Sequence, residues 1–551
     1  MIRPPTAASL DVPTGDKGLG QVKPALIRWL AVAASVLLSL WFILINDKIN
    51  PDGALYVDTA QRLIEGDWRG AYQLYQWPFF SALMALLSQA TGLHPEAAAL
   101  ALNLLFAALL AYTFVTLVEE LGGDRKTIWF AAFVILSLPY VNEKRAEVIR
   151  DIGYWAFVVT SLLLFLRFGA RPSLGRALAW SLSALTATLF RIEGFAALLA
   201  LPWVLWLQGS WSWRRRTLVF LQANALVIGL AAALALIVTL DPEIANYSGR
   251  LLEPVQRLEQ FWVELSSGLE HKADLMRSRV FDLTTGPYAH YAGKSALTVL
   301  IGGLVTIVVI KAAKVITPLY WLLPMFRRFR YRLHFSPLAL QTLAGLFLIN
   351  LSLILAFVVD SFYLSSRYVV PLALTLLPAV PFVLAAVHDR WRELAQVPWR
   401  RKWVFPLIAL GLLATLLDGI IVTSPPKTYI KEAGLWLREQ VPADQKVYTN
   451  SSLVHYYSGQ GITWTDRRQY RLPPHIPLYK YDYAALEKKR GEFPRAWNKL
   501  LKLGGLTQVA EFENRRGDGI RIYRIDLDGP PSGKRRIRPE SGPKRDSQAA
   551  D

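Results

Sequence analysis

Four short polar clusters interrupt an otherwise apolar sequence, and each holds groups able to move a proton or grip a phosphate. The first opens with Asn50-Pro51-Asp52-Gly53 and runs through Tyr56 and Asp58 to Glu65 and Asp67. An Asp in that position either works as a general base or caps the helix that the turn introduces. The second, Asn142 to Asp151, packs six charges into ten residues. Glu147 and Asp151 are spaced i, i+4, so a helix would put both carboxylates on one face. That pair suits either a hard cation or a solvated interhelical turn, and Arg150 lies beside it. The third, Arg191-Ile192-Glu193-Gly194, sits at the tip of a hairpin inside the apolar stretch 176–208. Its ion pair either pins the hairpin or faces a substrate. In the fourth, Asp360 to Pro371, Arg367 is the only basic residue and stands next to Tyr368. An interfacial anchor and an anion-binding guanidinium are both open there.

The elements that must carry these clusters are membrane helices. Of 551 residues, 53% are hydrophobic and only 19% charged, against about a quarter charged in soluble domains. Mean hydropathy is +0.28, and many apolar runs approach the roughly 20 residues that span a bilayer. The composition excludes a soluble enzyme, a disordered scaffold, a collagen-like fibre and a disulfide-stapled domain. The chain has no Cys, which removes disulfides, thiolate metal sites and cysteine nucleophiles.

Eleven spans are expected, near 25–45, 97–119, 127–141, 152–168, 176–190, 193–208, 217–240, 295–315, 337–358, 369–387 and 404–424. With the N-terminus inside and the C-terminus outside, the inner loops hold 19 basic residues and the short outer loops eight. The inner set includes Arg125, Arg214, Arg215, Arg216, Lys311 and Lys314. This is the positive-inside pattern. It accounts for the net charge of +19 without a nucleic-acid partner. Trp77 to Gly92 is apolar but short, and as a span it would invert every later loop. It reads as a re-entrant or interfacial helix.

The expected organisation is a leader over 1–24 on the cytoplasmic side and a transmembrane domain over 25–426. Periplasmic loops are expected at 46–96, 142–151 and 241–294. A small periplasmic α/β domain follows over 427–525, then a disordered Pro- and Gly-rich tail over 526–551. The loop 241–294 carries Tyr247, His271, Tyr288, His290 and Tyr291, which suit either sugar stacking or a membrane interface.

The clusters, in this order, resemble the GT-C superfamily of membrane glycosyltransferases. They are similar in pattern to the bacterial protein O-mannosyltransferase-like group and the lipid A aminoarabinose transferases. The resemblance rests on Asp52, Tyr56 and Ala60 opening the first outer loop, then Trp77-Pro78-Phe79-Phe80 before the next span. An acidic residue follows in the second outer loop, Asp151 or Glu147. Arg191-x-Glu193-Gly194, Arg367-Tyr368-x-x-Pro371, Trp436-Leu437-Arg438 and Lys446 to Asn450 complete it. Where the aminoarabinose transferases have Glu-Lys-Pro-Pro, this chain has Gln76-Trp77-Pro78-Phe79. Gly53 stands where eukaryotic mannosyltransferases have the second acid of an Asp-Glu pair.

The resemblance implies transfer of a sugar from a polyprenyl-phosphate donor to a periplasmic acceptor, in the inner membrane of a bacterium. The acceptor class would be a glycan, a glycolipid or a protein, with membrane lipids around the site. Asp52 would be the catalytic base. Arg150, Arg191, Arg367 and Tyr368 would bind the donor phosphate, and Tyr56 and Glu193 the substrate. Glu147 and Asp151 could hold Mg²⁺ or Mn²⁺, though some members of the superfamily work without metal. Two rivals stand beside this reading. An O-antigen ligase or polysaccharide polymerase would place its key residues in the late outer loop. A lipid-linked sugar flippase would show internal repeats and broken helices at mid-membrane.

Overall fold

The computed structural model describes residues 23–46, 48–240, 263, 267–281, 286–325, 333, 335–392, 402–421, 427–442, 444–459, 481–493 and 505–526. Nearly all of the expected leader, the expected tail from 527, and Tyr247 lie outside the described residues. The chain divides into two compact units. One comprises Met1–Asn46 with Tyr56–Thr423, and the other Asp47–Leu55 with Ser424–Asp551.

The larger unit is helical. Its elements run α1 (Pro24–Ile45), α2 (Pro51–Ile64, whose first residues group with the smaller unit), α3 (Trp68–Leu74), α4 (Phe79–Thr91), α5 (Pro95–Glu120) and α6 (Arg125–Leu136). Then come α7 (Pro139–Glu143), α8 (Asp151–Ala170), α9 (Leu174–Phe190), α10 (Gly194–Ala200), α11 (Trp213–Ala223) and α12 (Ala225–Leu240). After these follow α13 (Leu269–Met276), α14 (Ala289–Lys294), α15 (Ala296–Ile316), α16 (Pro318–Leu322), α17 (Pro337–Ser361), α18 (Ser366–Leu376), α19 (Val380–Arg392) and α20 (Val404–Asp418). A 3-10 turn, Leu201–Leu207, extends α10.

Among the described residues six helices are long and apolar enough to cross a membrane. They are Pro24–Ile45, Pro95–Glu120, Asp151–Ala170, Ala296–Ile316, Pro337–Ser361 and Ser366–Arg392, the last joining α18 and α19. The architecture is that of a multi-pass helical membrane protein. The other five expected spans are also helical, but α6, α9 and α20 have only 12, 17 and 15 residues. Gly194–Leu207 is short as well, and α11 with α12 bends by 53°. Within residues 77–92, Phe79–Thr91 form the 13-residue α4, closed by Gly92 at φ 74°, a length below that of a span.

The core follows the apolar faces of α5, α8 and α9. Trp155, Phe165, Phe168 and Trp180 are fully buried there, and Phe165 meets Trp180 edge to face at 5.1 Å. Phe190, at the end of α9, collects Phe79, Phe80, Phe106 and Phe157 within 6.3 Å between ring centres.

Apolar sequence continues past Leu136, but α6 stops there, and Pro139 starts α7 with Leu138 held extended before it. Residues 137–150 therefore run among the helices with little regular structure of their own. Backbone polar groups so placed need partners from neighbouring side chains. Asn142 Nδ2 donates to the carbonyls of Leu136 (2.7 Å) and Gly419 (3.0 Å). Asn46 donates to Ala146 O (3.1 Å) and Asn103 to Glu147 O (2.9 Å). The buried Arg145 donates to Ser35 O (3.1 Å), Ser35 Oγ (2.9 Å) and Ser39 Oγ (2.8 Å) on α1, and to Asn142 Oδ1 (2.9 Å).

One further contact joins the same segment to the later helices. Lys314 lies over the Tyr140 ring at 5.7 Å, where Lys144 also approaches at 5.5 Å. Two breaks bring these residues together. One is the early end of α6. The other is Thr317 at φ 69°, which separates α15 from α16 and lets Tyr320 Oη meet Ser137 Oγ at 2.6 Å.

The smaller unit has helices α21 (Thr428–Gln440) and α22 (Ser452–Ser458) and strands β1 (Val447–Thr449), β2 (Tyr483–Lys488), β3 (Leu506–Glu513) and β4 (Gly519–Ile525). The sheet order is β1-β2-β4-β3, with β1 and β2 parallel and the other pairs antiparallel. Tyr448, Ala484, Leu486, Phe493 and Tyr523 form its core. Lys488 is buried between Glu511 and Glu513, 2.5 Å from the latter. Tyr457 Oη accepts from the Ile49 amide at 2.7 Å.

Candidate functional site

Three chain segments far apart in sequence deliver charged side chains to one place in the helical unit. Asp151 begins α8. Arg191 ends α9, its amide still bonded to Ala187 O at 2.9 Å while its own backbone turns extended. Gly194 then closes the turn, its amide donating to Arg191 O at 3.0 Å. A Cβ on Gly194 would lie 2.7 Å from the Thr188 amide nitrogen and 3.0 Å from the Ala187 carbonyl carbon. Only glycine fits this turn, and that explains the Arg-x-Glu-Gly spacing. Trp77 Nε1 donates to Leu189 O at 2.6 Å and ties the approach to α4 onto the same corner.

Arg191 is 4% exposed and Asp151 is 1% exposed, and they pair directly through Nη1 and Oδ1. The other edge of the guanidinium faces Glu193, with Nη2 to Oε1 at 2.5 Å and Nε to Oε2 at 3.3 Å. Its face lies 4.3 Å from the Tyr368 ring and 5.7 Å from that of Tyr154. Arg191 is thus held by two carboxylates and an aromatic face. Arg367 comes from the first turn of α18 and approaches the second Asp151 oxygen at 3.9 Å. It is 29% exposed, and its counter-ion is buried. Pro371, inside α18, has no N–H to give back to the Arg367 carbonyl, the normal i→i−4 bond.

Arg150 lies over the Tyr75 ring at 5.7 Å, and Tyr75 packs on Tyr56 at 5.2 Å. Tyr56 also meets Phe80 edge to face at 5.7 Å. Arg150, Arg191 and Arg367 thus stand near Asp151 and Glu193, three guanidiniums beside two carboxylates. Guanidiniums gathered in this way are suited to an anion, above all one with the planar oxygen edges of a phosphate.

Of the residues nominated from the sequence, Arg150, Asp151, Arg191, Glu193, Arg367, Tyr368 and Tyr56 are thus brought into one linked set. Glu147 is turned to Lys144, with Oε1 2.7 Å from Nζ. Glu143 lies 3.1 Å from the same ammonium, and the two carboxylates hold it above the usual lysine value against the effect of burial. Asp52 is in the first turn of α2, one helical turn before Tyr56. His271, Tyr288, His290 and Tyr291 are exposed.

The nominated metal ligands do not fit a divalent ion. The Asp151 carboxylate is engaged by guanidiniums, and Glu147 by an ammonium. No group of three or more His, Cys, Asp or Glu side chains that could hold a metal occurs among the described residues. No step is therefore routed through a metal.

Three contributors had not been singled out. Tyr75 and Tyr154 each present a ring to a site arginine, and Tyr154 had a signal, its place one turn after Asp151. Lys272 on α13 donates to Val359 O (2.8 Å) and Asp360 O (3.4 Å), closing the end of α17 just before Arg367.

No family model matches the sequence, and no curated protein sequence is similar enough to count as a match. The solved structures give a clear likeness. The aminoarabinose transferase ArnT from Cupriavidus metallidurans, bound to undecaprenyl phosphate, aligns over 91% of this chain and 98% of its own, with 13% identity and a TM-score of 0.50. The chain has the GT-C fold. The archaeal oligosaccharyltransferase AglB from Archaeoglobus fulgidus, solved with an inhibitory peptide and a dolichol-phosphate, is also similar. It covers 84% of this chain and 62% of its own, with 15% identity and a TM-score of 0.49. The resemblance read from the four polar clusters therefore holds at the level of the GT-C fold.

Proposed function

We propose that the chain is a GT-C glycosyltransferase of a bacterial inner membrane. It would move a sugar from a polyprenyl-phosphate donor to a periplasmic acceptor, a cell-envelope glycan or glycolipid. The observation that carries this reading is the gathering of Arg150, Arg191 and Arg367 about the buried Asp151. The leaving group of such a donor is a phosphate, and groups preorganised where its charge develops lower the barrier. The likeness to ArnT, solved with undecaprenyl phosphate, supports the choice of lipid donor.

The roles divide by exposure. Arg367, part exposed, and Arg150 take the donor phosphate. Arg191 is occupied by Asp151 and Glu193, so its work is to hold Asp151 and the Tyr368 ring in place. Tyr56, and Glu193 through its exposed side, border the sugar. Asp52 accepts the acceptor hydroxyl's proton as that oxygen bonds to the anomeric carbon. The bond from that carbon to the phosphate oxygen breaks, and the electron pair leaves with the polyprenyl phosphate.

The test is binding of undecaprenyl phosphate to the purified full-length protein in detergent. Charge-assisted hydrogen bonds contribute about 1.5–3 kcal/mol, so Arg367→Gln should weaken binding by roughly ten-fold to a hundred-fold, with the melting temperature reporting separately on its pairing with Asp151. A wild-type protein with no affinity for undecaprenyl phosphate would sink the donor assignment. Wild-type affinity in Arg367→Gln would remove that residue from the phosphate site.

A further inference from the structure

The corner between α10 and α11 carries chemistry that the reaction does not use. Four tryptophans fall between residues 203 and 213, followed at once by Arg214-Arg215-Arg216. The rings are built into one aromatic block. Trp206 meets Trp213 at 4.5 Å, and Phe220 meets Trp203 at 4.8 Å and Trp206 at 5.8 Å. Yet Trp203 is 60% and Trp213 67% exposed, so the block presents its outer faces. Leu207, Leu218 and Leu221 are exposed beside it.

The three arginines do different work. Arg216 donates to the carbonyls of Trp206 (3.1 Å), Gly209 (3.3 Å) and Trp211 (3.0 Å), and so builds the turn. Arg215 lies over the Trp211 ring at 4.8 Å, which fixes its stem and leaves its edge open. Arg214 and Arg215 are exposed and have no carboxylate partner among the described residues. Indole rings favour the boundary where hydrocarbon meets water. A guanidinium supplies paired donors to phosphate oxygens. An exposed aromatic block, an apolar flank and two open guanidiniums on a preformed turn fit an amphiphile with an anionic phosphate head.

We propose that this corner is a binding site for acidic phospholipids of the surrounding bilayer, with Arg214 and Arg215 on the phosphate and Trp203 and Trp213 against the glycerol and upper acyl chains. It does not depend on the transferase reading, because it shares no residue with the arginine cluster.

The test uses the full-length protein in detergent micelles, titrated with phosphatidylglycerol or phosphatidylcholine and observed by native mass spectrometry. Each basic residue at a membrane surface contributes about fivefold in affinity for acidic lipid. Wild type should retain phosphatidylglycerol in preference to phosphatidylcholine. Arg214→Gln/Arg215→Gln should lose that preference by roughly twentyfold, and raised salt should weaken it in the wild type. Arg214→Lys/Arg215→Lys, which keeps the charge, should retain most of it. A wild type that binds both lipids alike overturns the proposal. So does a double Gln variant that keeps the preference and melts at the wild-type temperature. Should the double Gln variant fold poorly, the Lys pair decides: it must exceed phosphatidylcholine binding at low salt and lose that excess at high salt.

Discussion

Arg191 answers to two carboxylates at once, and this sets what each residue of the cluster can do. Removing one partner of a buried pair leaves an uncompensated charge and costs about 3–5 kcal/mol. Arg191→Met should therefore destabilise strongly, because Asp151 keeps only Arg367 at 3.9 Å. Arg191→Lys should fall between, since an ammonium keeps the charge but cannot serve both carboxylates with a planar fork. Adding Asp151→Asn to Arg191→Met should recover part of the loss, as two changes in one network do not add. Melting of the purified protein followed by intrinsic fluorescence checks all three. Equal melting of Arg191→Met and wild type would mean the pair is not a constraint on the fold. The sequence had offered Arg191 as a phosphate ligand. Its assignment to Asp151, forty residues away, could not be seen in spacing, because it depends on α8 and α9 packing side by side.

At the scale of elements, the glycines test whether the corner at 191–194 is shaped by close approach. A Cβ at Gly194 would meet backbone atoms, which cannot move aside, whereas one at Gly175 would meet nothing within 4 Å. Gly194→Ala should cost about 1–3 kcal/mol by overpacking, and Gly175→Ala should be neutral or slightly stabilising inside α9. Yields of folded protein on size exclusion and melting temperatures would separate the two, and similar values for both would remove the steric account. The existence of the helices was legible from apolar runs, but their lengths were not. Hydropathy carries on through Ser137-Leu138-Pro139, while the proline and the side chains of Asn46, Asn103 and Asn142 decide that the backbone leaves the helix there. Strand β2 is not legible in the sequence, for a different reason. Ala484-Ala485-Leu486-Glu487-Lys488 are all strong helix formers, and only pairing with β1 and β4 makes them a strand. The candidate site was legible as four clusters, because charge in apolar sequence stands out. Which ions pair within it was decided by tertiary contacts.

At the scale of the whole molecule, the question is whether the clusters serve one reaction in the cell. The argument turns on Asp52, because the arginine cluster alone would also suit a protein that only binds or moves a lipid phosphate. A transferase needs a base for the acceptor as well, and removing a positioned base typically costs 10²–10⁴ in rate. Asp52→Asn keeps the size of the side chain and removes the basic carboxylate. In the native host, a deletion strain should lose one sugar from surface polysaccharide, lipid A or another envelope glycan when these are profiled by mass spectrometry. Complementation with the wild-type gene should restore that sugar, and complementation with Asp52→Asn at equal membrane abundance should not. Full restoration by Asp52→Asn would leave Asp52 as a first-turn residue of α2 without a role as base and send the search for the base to the other carboxylates between residues 46 and 96. A deletion that alters no glycan, together with intact undecaprenyl phosphate binding by the purified protein, would favour lipid-phosphate transport over sugar transfer.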